Sequence, residues 1–167
     1  MLNPAALAEM TIRKWVQAHE KFKLIDRAHY RAGCFVSLHE RDSGDLRGCI
    51  GTIEPQQSDF LLEVRENAIA AATRDPRFEP VSVQELDDLT IEVSELKPPE
   101  TIPDPEYLSP WRYGVVVEAR GRRGVLLPAL DGIDTAEQQI AIARRKAGLD
   151  PYEPVQLWRF EVVKHAE

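Results

Sequence analysis

Two cysteines in 167 residues are too few for a disulfide framework, so the fold has to hold by packing alone and reads as that of a reduced, cytoplasmic protein. No apolar run approaches the ~20 residues that a membrane helix needs. The start, Met1-Leu2-Asn3-Pro4, lacks the basic region and apolar stretch of a secretory signal. The four histidines, His19, His29, His39 and His165, form no cluster in sequence, and neither cysteine has zinc-ligand spacing; no metal or other cofactor is expected. Basic charge is also scarce: the net charge is -7, which weighs against broad contact with a phosphate backbone. The local exception is Arg120-Gly121-Arg122-Arg123-Gly124, which reads first as a solvated hairpin turn and second as a nucleic-acid contact.

What is present fits an ordinary globular chain with a sizeable core, 43% hydrophobic and 29% charged. Asn3-Pro4 starts a helix, with Asn as N-cap and Pro in the first position. Leu7, Met10, Ile12, Trp15 and Val16 continue it as an apolar stripe to about Glu20. Gly33–His39 and Leu46–Glu54 read as the two strands of a hairpin turning at Arg41–Asp45. Ser58 is the expected N-cap of a helix from Asp59 to about Arg74, and Ala70-Ala71-Ala72 predicts close packing of that helix on a sheet. Asp75-Pro76 stops it. Thr90–Leu96 alternates as a half-buried strand. Residues 97–110 carry five prolines and read as a linker. Beyond it come strands over 113–118 and 124–130, a helix capped by Asp134 and stopped by Gly148, and an alternating strand over 156–164.

The order strand, strand, helix, strand therefore occurs twice. Arg47-Gly48 and Arg123-Gly124 are 76 residues apart, as are Ser58 and Asp134, and Asp75-Pro76 lies 75 before Asp150-Pro151. A fixed offset of this kind predicts an internal duplication. The expected fold class is α+β: two similar ββαβ-type subdomains with mixed or antiparallel sheets, plus an N-terminal helix. Subdomain 1 covers about 1–97, the linker about 97–110 and subdomain 2 about 111–167. Cys49 has no counterpart in the second repeat, where Val125 stands.

Leu46-Arg47-Gly48-Cys49-Ile50-Gly51-Thr52 holds the densest chemistry. Cys49 is the candidate catalytic residue. Gly48 and Gly51 leave room for a ligand at the backbone, and Arg47, two positions away, offers a guanidinium that favours a thiolate. The plain alternative is a small thiol buried in a sheet. If Leu46 opposes His39, Val36 opposes Cys49. His39 then lies on the other face from Cys49, and Cys34 lies diagonal to it on the same face. That pairing admits a metal site or a reversible disulfide, with ordinary strand cysteines as the default. Asp75, Arg77 and Thr52 complete the candidate ligand contacts in the first half, since arginine forks suit carboxylate or phosphate. Asp75-Pro76-Arg77-Phe78 reads equally as a structural turn. Tyr113, beside Gly114, is the candidate contact in the second half.

These segments resemble the AMMECR domain family, known in bacteria and archaea as AmmeMemoRadiSam system protein A. The resemblance rests on Gly33–Leu38, Leu46–Thr52 with Glu54-Pro55, Asp75–Phe78 with Pro80-Val81, Arg112–Val117, Arg122–Pro128 and Lys146–Leu149, in that order. It covers nearly the whole chain and implies a mixed α+β fold of two similar subdomains. It also implies two partners, a Memo-like protein related in fold to extradiol dioxygenases and a radical-SAM enzyme, in a pathway modifying a small molecule or a protein. The resemblance assigns no reaction. Arg144 or Arg145 stands where many bacterial relatives carry a second cysteine, and residues 150–154 form a shorter loop than the family pattern. The expected functional site is a cleft between the subdomains walled by Leu46–Thr52. Its readings are an enzyme component centred on Cys49, a non-catalytic adaptor for the Memo-like partner and, well behind, nucleic-acid binding at Arg120–Arg123.

Overall fold

The computed structural model describes residues 1–167 as a mixed α+β fold with two antiparallel sheets of four strands, divided into two compact units. Unit 1 comprises Met1–Leu96 with Val163–Glu167, and unit 2 comprises Lys97–Val162.

In unit 1, helix α1 (Pro4–Ala18) begins as its sequence dictates: the Asn3 side chain accepts the amides of Ala5 and Ala6, and Pro4 occupies the first turn. Strands β1 (Cys34–Glu40) and β2 (Leu46–Thr52) form the hairpin. Helix α2 (Phe60–Thr73) follows, and a 3₁₀ turn over Val83–Asp88 leads into β3 (Leu89–Leu96). The cap of α2 is Asp59 rather than the expected Ser58. Its carboxylate accepts the amides of Ala28 and His29 as well as that of Leu61, so one residue starts the helix and ties down the preceding loop. The sheet runs β2-β1-β3-β8, where β8 is Val162–Ala166. Helix α2 is buried round most of its circumference, with Phe60, Leu61, Val64 and Ala68 fully enclosed. Burial of one such large side chain contributes about 1.5–3 kcal/mol. Its partners are Leu7 and Ile12 of α1 and Val36, Leu38 and Val93 of the sheet.

Unit 2 repeats the topology. Strands β5 (Gly114–Ala119) and β6 (Arg122–Leu126), helix α3 (Ala136–Ala147) and β7 (Gln156–Phe160) occur in the same order, and the sheet runs β4-β7-β5-β6. In both units the third strand pairs antiparallel with the first strand of the hairpin. What the two units share is this topology.

Three further details differ from the sequence expectation. The proline-rich stretch contributes an edge strand, β4 (Glu100–Ile102), paired with β7, and a 3₁₀ turn over Pro105–Tyr107. Residues 156–164 are not one strand: Glu161 interrupts them, β7 staying in the sheet of unit 2 and β8 joining that of unit 1. Helix α3 is capped by Thr135 rather than Asp134, because the Thr135 hydroxyl reaches the Gln138 amide while the Gln138 side chain returns to the Thr135 amide.

Each hairpin touches its helix through a glycine. A Cβ on Gly48 would lie 2.5 Å from the Ala71 carbonyl oxygen of α2, and one on Gly124 would lie 1.8 Å from that of Ala143 in α3. Ala70-Ala71-Ala72 thus provides the close approach its composition predicts. Backbone atoms cannot rotate aside, so Gly124→Ala and Gly48→Ala each have to push strand and helix apart. We expect each to lower stability by about 1–3 kcal/mol, Gly124→Ala more than Gly48→Ala, measured as the shift in the urea unfolding midpoint.

Candidate functional site

The geometry around Cys49 follows from a β-bulge. Leu46 does oppose His39, but Gly48 opposes Leu38, so Arg47 is an extra residue in β2. The register beyond it moves by one, and Cys49 faces Ser37 instead of Val36. Two expectations reverse in consequence. Cys34, Val36 and Leu38 point into the helix-covered core, whereas Cys49 lies with Ser37 on the opposite face, so the two cysteines do not share a face. By the same alternation His39 shares the face of Cys49. No cluster of three or more His, Cys, Asp or Glu side chains could hold a metal ion.

The two thiols are therefore in different settings. Cys34 is fully buried, and burial pushes its thiol up to about 12, with the Asn67 amide opposing that rise. Cys49 is half-buried, and its sulfur lies 3.3 Å from the Ser37 hydroxyl.

The backbone of Cys49 is held from the side. Strand β2 is an edge of its sheet, which leaves backbone groups without a strand partner. Asp75 fills that role: its Oδ2 accepts the Cys49 amide at 2.9 Å, and the Arg77 guanidinium donates to the Cys49 carbonyl at 3.3 Å. Arg77 also grips both carboxylate oxygens of Asp75, at 3.0 and 2.8 Å, and its own amide donates to Oδ1. The Asp75 side chain is only 2% exposed, so a charge there has to be fully paired. The Arg77 guanidinium, then the Cys49 and Arg77 amides, hold its carboxyl well below the usual range despite burial, and Asp75 in turn raises Arg77.

The remaining candidates have partners of their own. Arg47, re-aimed by the bulge, donates to both oxygens of Glu85 at 2.8 and 3.1 Å, with Phe78 under its guanidinium. Glu85 also accepts the Ser82 amide and hydroxyl, so this pair fixes the 3₁₀ turn. Thr52 faces the core, donating to Glu63 at 2.6 Å and accepting from Asn67 at 3.0 Å. Glu63 is buried and also accepts the amides of Gln56 and Gln57, which binds the loop after β2 to α2. A Cβ on Gly51 would collide with the Cys34 carbonyl and the Phe35 ring, so that position is also set by packing. Tyr113 belongs to unit 2, where its ring has Arg159 at 4.3 Å and Arg112 at 5.0 Å.

The structure thus assembles Cys49, Asp75 and Arg77 into one cluster and sends Arg47 and Thr52 to separate ones. Ser37, Glu63 and Glu85 were not legible as site residues. For Glu85 a signal existed, since Ser82-x-x-Glu85 has capping-box spacing. For Ser37 there was none, because the bulge sets its pairing. The arginine turn of unit 2 is also engaged: Arg120 pairs with Glu153, Arg123 with Glu118, and Arg122 donates to the Gly148 carbonyl.

The AMMECR1 family model matches residues 5–165. The chain belongs to the AMMECR1 family. A protein of Thermotoga maritima is 52% identical over 136 residues, covering 81% of this chain and 78% of its own length. One from Methanocaldococcus jannaschii, MJ0810, is 43% identical over 144 residues, covering 78% and 71%. A Clostridium acetobutylicum relative is 43% identical over 137 residues, 82% of this chain, which spans only 29% of that longer protein. The crystal structure of the uncharacterized protein PH0010 from Pyrococcus horikoshii superposes with a TM-score of 0.86 at 30% identity, covering 96% of this chain and 88% of that one. The resemblance read from Leu46–Thr52 and its companion segments is therefore one of family and fold. As for the membrane, no helix is long and apolar enough to cross one.

For this AMMECR1 protein the Asp75 contacts predict an acid dependence. A carboxyl depressed in the folded state stabilises fully above its ordinary unfolded value, about 4, and the contribution fades as pH falls below that value. Asp75→Asn should cost about 2–3 kcal/mol at neutral pH and should flatten the stability loss between pH values of about 5 and 2. Chemical denaturation of both proteins across that range measures it.

Proposed function

We propose that the protein is a component of a modification pathway in which it acts with a Memo-like protein and a radical-SAM enzyme, and that its ligand contacts lie along β2 at Cys49. The partnership rests on the family resemblance alone. The ligand contact rests on one observation: the Cys49 amide and carbonyl are both held by the Asp75-Arg77 pair while its thiol stays half-buried beside Ser37. Such support fixes a reactive group in place. Asp75 and Arg77 act as positioning residues in this reading. The exposed part of the Arg77 guanidinium, 55% accessible at its side chain, supplies positive charge for an anionic group beside the thiol.

A second reading, a non-catalytic adaptor for the Memo-like partner, is favoured by the partner of the sulfur. Cys49 meets a serine hydroxyl rather than a base, whereas nucleophilic cysteines are generally activated by a neighbouring histidine or comparable group. Tyr113 and Arg47 enter either reading as supports of their own units. Nucleic-acid binding loses ground, since the arginines of the 120–123 turn already have protein partners.

Alkylation separates the readings. With iodoacetamide on the folded protein, Cys49 should be modified alone, Cys34 following only in denaturant, and peptide mass analysis reports both sites. A Cys49 that resists the reagent until the protein unfolds removes the ligand-contacting role. Co-purification with the Memo-like protein that survives Cys49→Ala would support the adaptor; a modified metabolite or protein missing both without this protein and without the radical-SAM enzyme would support the pathway component.

A further inference from the structure

Unit 2 holds a groove that the Cys49 site does not use. It has a volume of about 570 Å³ and lies along α3, with Pro105, Leu149 and Pro151 also in its lining. Ile140, Ala141, Leu149 and the two prolines give it a mainly apolar surface. This volume is in the range of small-molecule sites, which combine an apolar lining with a few polar groups.

The polar groups at the ends are unequal. Arg144 is part of the wall: it donates to the carbonyls of Asp150 and Glu153 at 2.9 and 2.8 Å, holding the loop after α3 in place. Arg145 and Glu137 also line the groove, and neither side chain takes part in a hydrogen bond or ion pair; the Arg145 backbone carbonyl accepts the Gly148 amide. They stand eight residues apart, about 12 Å along the helix axis. One end of the groove thus carries an uncommitted guanidinium and the other an uncommitted carboxylate. Both charges favour the helix dipole, which accounts for their signs but not for an apolar trough between them.

We propose that this groove binds a small apolar acid, an aliphatic or aromatic carboxylate, with the acid group at Arg145 and the apolar body along Ile140, Ala141 and Leu149. The charge pattern sets the direction. A carboxylate at Arg145 gains a charge-assisted, two-pronged hydrogen bond, whereas at the other end it meets Glu137. The site is independent of the reading given for Cys49, because every residue in it belongs to unit 2.

The test uses the whole protein and decanoate as probe, followed by amide chemical shifts. Shifts confined to residues 137–151 and Pro105 neighbours, saturating at or below about 10 mM, are expected. Ala141→Trp, an exposed position whose larger side chain fills the trough, should abolish saturable binding, and Arg145→Glu should weaken it at least tenfold. Decanol, matched in chain and lacking the acid, should bind at least tenfold more weakly than decanoate. Unchanged spectra away from α3 and an unchanged melting temperature show that both variants fold. Absence of saturable shifts, shifts centred elsewhere, binding unaffected by Ala141→Trp, or decanol binding as tightly as decanoate would each overturn the proposal.

Discussion

An edge strand leaves amide and carbonyl groups that no neighbouring strand satisfies, and in unit 1 the buried carboxylate of Asp75 resolves that problem for β2. Much else follows from it. A carboxylate with 2% exposure needs a cation in bonding contact, which requires Arg77 two residues later. Pro76 between them holds the bend that turns both side chains back onto the strand. The Arg77 guanidinium then reaches the Cys49 carbonyl, so a four-residue turn stands in for a missing strand and also blocks pairing of this edge with another chain. Removing the carboxylate would leave the Cys49 amide without a partner and Arg77 without its anion, which is why these contacts act as a unit.

The second constraint is steric. Hairpin and helix meet backbone to backbone at Gly48 and Ala71, and again at Gly124 and Ala143. The Arg-Gly pair at both places therefore marks a shared architectural device, with the arginine free to take different partners. In unit 1 it binds Glu85, while in unit 2 Arg123 binds Glu118 and lies over Trp158. A recurrence of two residues at a constant offset was visible in the sequence because the same contact is made twice in the same topology.

Legibility ended where side chains or registers depended on long-range contacts. The helices, the two hairpins and the third strand of each unit could be read from caps, turns and periodicity. Asp59 displaced Ser58 as a cap because its second oxygen has work at Ala28 and His29, contacts about 30 residues away in the chain that no local pattern reveals. The short strand Glu100–Ile102 was hidden by flanking prolines, which an edge strand tolerates. The bulge at Arg47 was the costliest omission. A single inserted residue exchanges the faces of everything beyond it, so Leu46 was rightly set against His39 while Cys49 was matched with the wrong neighbour.

That exchange changes what the signature Leu46–Thr52 means. With Cys49 on the core face, its thiol would be one more packed sulfur, paired diagonally with Cys34. With the bulge in place, Gly48, Ile50 and Thr52 serve the helix side: a close approach, an apolar contact and a hydrogen bond to Glu63. Arg47 locks the 3₁₀ turn, and Gly51 makes room for the Phe35 ring. Five of the seven positions then have a side-chain or steric task inside unit 1, Leu46 being exposed. The backbone of Cys49 has one too, in closing the sheet edge, and alanine would perform it as well. Architecture explains the glycines, the arginine and the threonine of the signature, while the Cys49 sulfur has only the Ser37 hydroxyl beside it as a polar partner.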